Sequence, residues 1–234
     1  MNFPPLKLFL AAISVVFGGT FHFGYQIIIL NPSYQAFREF FNESYTRHYV
    51  RSKLTVNSTQ YLEDDLFSSL WSFTQSVLNV GTLIGAILMP FIAEKYGRKK
   101  CLGTGSVFFL VGMAMSGLSK YAVSFEMLMT GRLVIGFAFG ICSCQGIYLV
   151  EISPNQTRGF INSTSEIILE FGVLLGSIVG ISTVLGSYQL WPLMFFLEMI
   201  PSVVLLVFLP FYHESPKFLM AQGKENEGTL VKNS

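Results

Sequence analysis

The sequence predicts an all-α membrane protein with six transmembrane helices, on three observations. Apolar residues make up 51% of the chain and charged residues 12%, with a mean hydropathy of +0.53. That balance leaves too little charge to keep a soluble domain dispersed. The apolar residues also gather in long charge-poor runs, and a helix needs roughly 20 such residues to cross the hydrocarbon layer. Finally, the runs lack the period-two alternation of a transmembrane barrel, so helices are expected.

The first run, 8–30, follows the single lysine Lys7. It is too long for a signal-peptide core and has no small-residue cleavage site, so it reads as an uncleaved first span. Five more spans are expected at 66–93, 101–119, 128–150, 162–185 and 190–211. Residues 1–219 then form one six-helix unit, with a lumenal loop at 31–65 and a polar cytoplasmic tail at 220–234. Alternation of the spans puts Lys7, Lys95, Arg98, Lys99, Lys100, Arg158, Lys217, Lys224 and Lys232 on one side. By the positive-inside rule that side is cytoplasmic, the amino terminus included. The other side receives Arg38, Arg47, Arg51, Lys53 and Lys120, but the first four share one long loop with Glu39, Glu43, Glu63, Asp64 and Asp65. The same loop holds the N-glycosylation acceptors Asn42 and Asn57, whereas the acceptor triplets at Asn155 and Asn162 fall on the cytoplasmic side and are expected to stay bare. The expected location is the plasma membrane.

A net charge of +1 gives no basic surface for nucleic acid. Cys101, Cys142 and Cys144 lie in or beside apolar runs, and neither their number nor their spacing suggests a disulfide framework. The Cys142-Ser143-Cys144 triplet has no histidine near it, so no metal site or cofactor is expected. No nucleophile–base pairing is evident, and the chain does not read as an enzyme. Small residues recur every fourth position at Gly81 and Gly85, at Gly136 and Gly140 following Arg132, and at Gly172, Gly176 and Gly180. Each set lines one helix face, suited to close packing and also to sliding contact.

Four motifs occur in order between these spans. They are Glu94-Lys95-Tyr96-Gly97-Arg98-Lys99-Lys100, Gly131-Arg132-Leu133-Val134-Ile135-Gly136, Glu151-Ile152-Ser153-Pro154 with Arg158-Gly159, and Glu214-Ser215-Pro216-Lys217. With Gly24-Tyr25, Asn31, Leu70-Trp71-Ser72, Ser124-Phe125-Glu126-Met127-Leu128 and Leu190-Trp191-Pro192-Leu193, they make the chain resemble the sugar porters of the major facilitator superfamily. It is most similar to the facilitative glucose and fructose transporters of animals, from about Phe17 to Leu219.

The resemblance implies the amino-terminal half of a two-half fold with a 3+3 inverted repeat, carrying a hexose by alternating access. It implies a cytoplasmic charge network at Arg98, Glu151, Arg158 and Glu214. Two departures bear on that network: His213 stands where the family usually has proline, and Lys217 replaces an arginine whose bidentate fork a lysine cannot reproduce. It further implies sugar contacts at Phe23 and Gln26 in the first helix and at Glu166 and Leu169 in the fifth. Aromatic faces and amides suit sugars, which present flat C–H surfaces and rings of hydroxyls. Where the family usually has a glutamine on the fifth helix this chain has Glu166, with Glu170 four residues on and Glu198 inside the sixth run. Three explanations stand side by side: acids that resist ionisation in an apolar setting, acids facing an aqueous cavity as proton sites, and relaxed constraint in a chain that no longer transports.

Two functions of different classes follow. One is a passive carrier of a hexose such as glucose or fructose, with proton-coupled symport as its variant, whose second half lies on a longer chain or on a second chain; the other is a non-transporting membrane subunit that modulates a full-length porter. The expected partners are a hexose, membrane lipid and a second half or a full-length relative.

Overall fold

A computed structural model describes residues 6–50, 62–154 and 156–223, and within them every regular element is helical. The helices are α1 (Leu6–Phe17), α2 (Thr20–Ile28), α3 (Tyr34–Tyr45), α4 (Asp64–Tyr96), α5 (Arg98–Ala122), α6 (Phe125–Cys142), α7 (Cys144–Ile152), α8 (Arg158–Val179), α9 (Trp191–Phe208) and α10 (Pro216–Ala221). Five stretches among the described residues are long and apolar enough to cross a membrane: Asp64–Tyr96, Arg98–Ala122, Phe125–Ile152, Arg158–Val179 and Trp191–Phe211. A shorter apolar stretch, Ala12–Ile28, stands in the place of the first span.

Four differences from the sequence expectation stand out, and one is that the span expected at 162–185 runs Arg158–Val179, ending where Gly186 folds back against the Gly180 carbonyl. The first span is not one helix over 8–30 but breaks at Gly18 and Gly19. The Gln145 side chain occupies the space beside Gly19 and accepts from the Thr20 N–H at 3.1 Å, satisfying one of the donors that the new helix start leaves free. The span over 128–150 likewise divides at Ser143 into α6 and α7, one residue before the stretch that carries Gln145. The region 31–65, expected as a loop, contains α3 and a short π-helical turn, Thr46–Val50. Its Phe37, Phe40, Phe41 and Ser44 recur at three- and four-residue spacing and are all buried, so α3 has an amphipathic face that is too short to span.

Backbones approach closely where the small-residue stripes fall. Between α4 and α6, a methyl added at Gly136 would run into the Leu78 carbonyl, and one at Gly81 into the Leu133 carbonyl. Between α2 and α8, Gly24 lies against the Leu169 carbonyl and Gly172 against that of Phe21. α5 packs on α6 and α9, closing the bundle. Trp191 heads α9 and is fully buried among Phe37, Phe40 and Phe195, which ties α3 over one end of the bundle.

Candidate functional site

Four groups of candidate residues occupy different parts of this bundle. The first is the open side of α2 and α8. Because Gly24, Gly172 and Gly176 turn toward the α2–α8 contact, other positions of these helices are left outward. On α2 these are Phe23 and Ile27; on α8 they include Glu166, Ile167, Glu170, Phe171 and Leu174. The Phe23 ring meets Phe139 of α6 edge-on, with centroids 5.3 Å apart. Leu169 is half-buried, and its backbone is what Gly24 rests on. Glu166 and Glu170 lie one turn apart on an exposed strip flanked by large apolar side chains.

Gln26 is placed differently from the other three expected sugar contacts. It is fully buried, and both ends of its amide are used within the bundle. Its Nε2 donates to Glu198 Oε2 at 2.5 Å, and its Oε1 accepts from Arg132 Nη1 at 3.2 Å. His22 Nδ1 lies 3.2 Å from the other oxygen of Glu198, and His22 Nε2 lies 2.7 Å from Ser202 Oγ. Arg132 also donates to the Thr74 carbonyl at 3.0 Å and to Gln75 Oε1 at 3.2 Å. His22 and Ser202 are candidates that motif reading missed, and Arg132, though part of a motif, was not assigned to this site. The signal was present, since His22, Arg132 and Glu198 interrupt three apolar runs, but separations of more than a hundred residues conceal that they meet.

The third group lies at the end of the bundle where α4 turns into α5. Gly97 makes that turn with φ +96°, a conformation that suits glycine, and the Glu214 carboxylate fills the space where a side chain would sit. Glu214 Oε1 accepts from the Lys99 N–H at 3.0 Å, so it caps the start of α5 with a negative charge where the helix presents unpaired donors. Arg98 Nε lies 3.2 Å from Glu151 Oε2, with side chains only 18% and 5% exposed. The Arg98 guanidinium also sits over the Phe218 ring, 5.6 Å from its centroid. Ser215 donates to Glu151, and Lys99 Nζ reaches the carbonyls of Pro210 and Tyr212 at 2.9 and 2.8 Å. Arg98, Glu151 and Glu214 are thus gathered together. Arg158, the fourth expected member, opens α8 and pairs with no acid among the described residues; its Nε is buried without a hydrogen-bond partner.

At the opposite end, Asn42 sits on α3 with its Oδ1 accepting from the Leu62 N–H at 2.9 Å, while Asn57 lies outside the described residues, as does Asn155. Ser44, the third residue of the Asn42 triplet, is buried, donating to the Val123 carbonyl at 2.9 Å and accepting from the Phe125 N–H at 3.0 Å. Tyr188 donates to Glu43, and its partial burial together with that carboxylate pushes its phenol up to about 12. Asn162 is exposed on α8.

A bundle of this kind, with glycine-packed spans, a basic turn between its second and third spans and ionisable residues inside the helices, defines a multi-span membrane protein with a polar interior. Residues 11–234 match the family model described as "Sugar (and other) transporter", and the chain belongs to that family. It is 31% identical over 223 residues to human solute carrier family 2, facilitated glucose transporter member 7, covering 95% of this chain and 42% of that protein. Human member 5 is 32% identical over 221 residues, covering 94% of this chain and 42% of the relative. The chain therefore spans under half the length of these relatives, which are transporters rather than enzymes. Among solved structures, the proton:xylose symporter XylE bound to 6-bromo-6-deoxy-D-glucose superposes with a TM-score of 0.76 at 22% identity. That match covers 96% of this chain and 48% of XylE, and it shows the fold. A partially occluded inward-open form of XylE from E. coli gives the same TM-score.

Proposed function

We propose that this chain forms one wall of a hexose pathway that works by alternating access, with a second six-helix half closing its open side. The observation that carries the reading is α8. One face is locked by glycines to α2, while the other exposes Glu166 and Glu170 along the middle of a spanning helix. Carboxylates in lipid are costly, so that strip is best accounted for by a water-filled cavity between halves. In this reading Phe23 and Leu169 supply apolar surface for the sugar ring and Glu166 supplies hydrogen-bond acceptors, with Glu170 beside it and Gln26 behind them. The hexose class follows from relatives named as facilitated glucose transporters. The amino terminus and the Gly97 turn face the cytoplasm of a plasma-membrane protein, and the region of Asn42 and Asn57 faces outward. The basic turn then acts with Glu151, Arg158 and Glu214 as the cytoplasmic lock.

The chain, reconstituted in liposomes with crosslinking to report stoichiometry, is tested for uptake of labelled glucose and fructose. Saturable uptake appearing only with paired copies, and falling in Glu166→Ala or Glu170→Ala, supports a pairing carrier. Stereospecific uptake by uncrosslinked monomers overturns the two-half requirement. The same open side also suits a non-transporting subunit seated against a full-length relative; altered uptake by a co-reconstituted relative, with none by this chain, favours that second reading. Cysteines placed at 166 and 170, in a background lacking Cys101, Cys142 and Cys144, are expected to react with a water-soluble thiol reagent. Reaction with lipid-soluble reagents alone would place the strip against the bilayer.

A further inference from the structure

The polar cluster inside the bundle can be read as one directed chain of hydrogen bonds. Arg132 on α6 is 2% exposed and has no carboxylate within ion-pair distance among the described residues, although a buried cation needs a counter-charge. Its donors go to Thr74, Gln75 and the Gln26 amide oxygen. The amide nitrogen of the same glutamine donates to Glu198 on α9, which is 1% exposed. An amide passes polarity in one direction: accepting from a guanidinium at its oxygen polarises its N–H toward a carboxylate. At the far end, Glu198 Oε1 faces His22 Nδ1, and His22 Nε2 faces Ser202 Oγ.

We propose that Glu198 is the counter-ion of Arg132, joined to it through the Gln26 amide and oriented by a neutral His22, so that α2, α6 and α9 are held by one charge-balanced clasp. Every group then has a role that fits its chemistry. The Ser202 hydroxyl donates to Nε2, Nδ1–H and the Gln26 N–H both donate to an ionised carboxylate, and Arg132 fills the amide oxygen. The clasp carries one positive and one negative charge. Other groups facing it include the Phe109 ring of α5, 4.6 Å from the imidazole, and Tyr25 of α2, whose hydroxyl donates to the Met194 carbonyl at 3.1 Å. Gln26 is accordingly a positioning residue whose polar atoms are used inside the half. The outward positions of α2 are the apolar Phe23 and Ile27. The inference stands independently of the substrate proposed above.

The test compares apparent melting temperatures of the detergent-solubilised chain carrying Glu198→Gln, Arg132→Gln, or both. Each single change strands one buried charge and is expected to lower the melting temperature by roughly 10 °C, whereas the double change is expected to return it to within a few degrees of the unmodified chain. Additive losses overturn the proposal, and so does a near-silent Glu198→Gln, which would mean that Glu198 is a neutral acid. A second measurement does not depend on those variants folding. With His48→Asn and His213→Asn leaving one histidine, nitrogen NMR of labelled His22 is expected to report a neutral Nδ1–H ring unchanged from pH 5 to 8. An imidazolium signal would make His22 the partner of Glu198 and overturn the assignment to Arg132.

Discussion

Glu214 shows how one side chain joins two distant segments. It lies in the turn before α10, yet it caps α5 at Lys99 and fills the space that Gly97 leaves open. Removing its charge with Glu214→Gln is expected to cost about 1 kcal/mol, in line with the loss of a carboxylate at a helix start, and Glu214→Ala somewhat more. Lys217 is exposed, and Lys217→Ala is expected to leave stability unchanged. Thermal melting of the solubilised chain, together with hydrogen exchange at the Lys99 amide, checks both. Equal effects of the two alanine variants would remove the capping role. The family resemblance placed Glu214 in a cytoplasmic charge network; its local role as a cap depends on the folded turn.

At the scale of elements, the small-residue stripes divide by what lies opposite them. Gly136 meets the backbone of α4 at Leu78, whereas Gly146 on α7 has open space where its side chain would be. Gly136→Ala is therefore expected to push α6 from α4 and destabilise by about 1–3 kcal/mol or more. Gly146→Ala is expected to be neutral or to stabilise by about 0.5–1 kcal/mol, because alanine loses less conformational freedom in a helix. Melting of the two variants side by side decides the matter, and equal losses would contradict the packing described. The stripes were legible in sequence because they repeat every four residues. The breaks at Gly18–Gly19 and at Ser143 were not, since both fall inside apolar runs, where hydropathy continues unchanged across a change of helix axis.

For the whole molecule, the orientation proposed above makes an asymmetric prediction about glycans. Expression with microsomes is expected to give a gel shift that depends on Asn57, Asn42 or both, and none that depends on Asn155 or Asn162. Ser44 is buried in the folded protein, so modification at Asn42 must precede the docking of α3. A shift lost in Asn155→Gln or Asn162→Gln would invert the topology.

Solvent, fold class and family were all legible in the amino-acid order alone. Lipid exposure and span length are written in composition and run length, and the family in four ordered motifs; none of these needs contacts between distant residues. Tertiary structure decided which polar residues share a site. It withdrew Gln26 from the open side and bound it to Arg132 and Glu198, gathered Arg98, Glu151 and Glu214 while leaving Arg158 apart, and folded part of an expected loop into α3. The reason is that a spanning helix shows all its faces to a reader of sequence, whereas which face meets a neighbour is set by where glycines let backbones close.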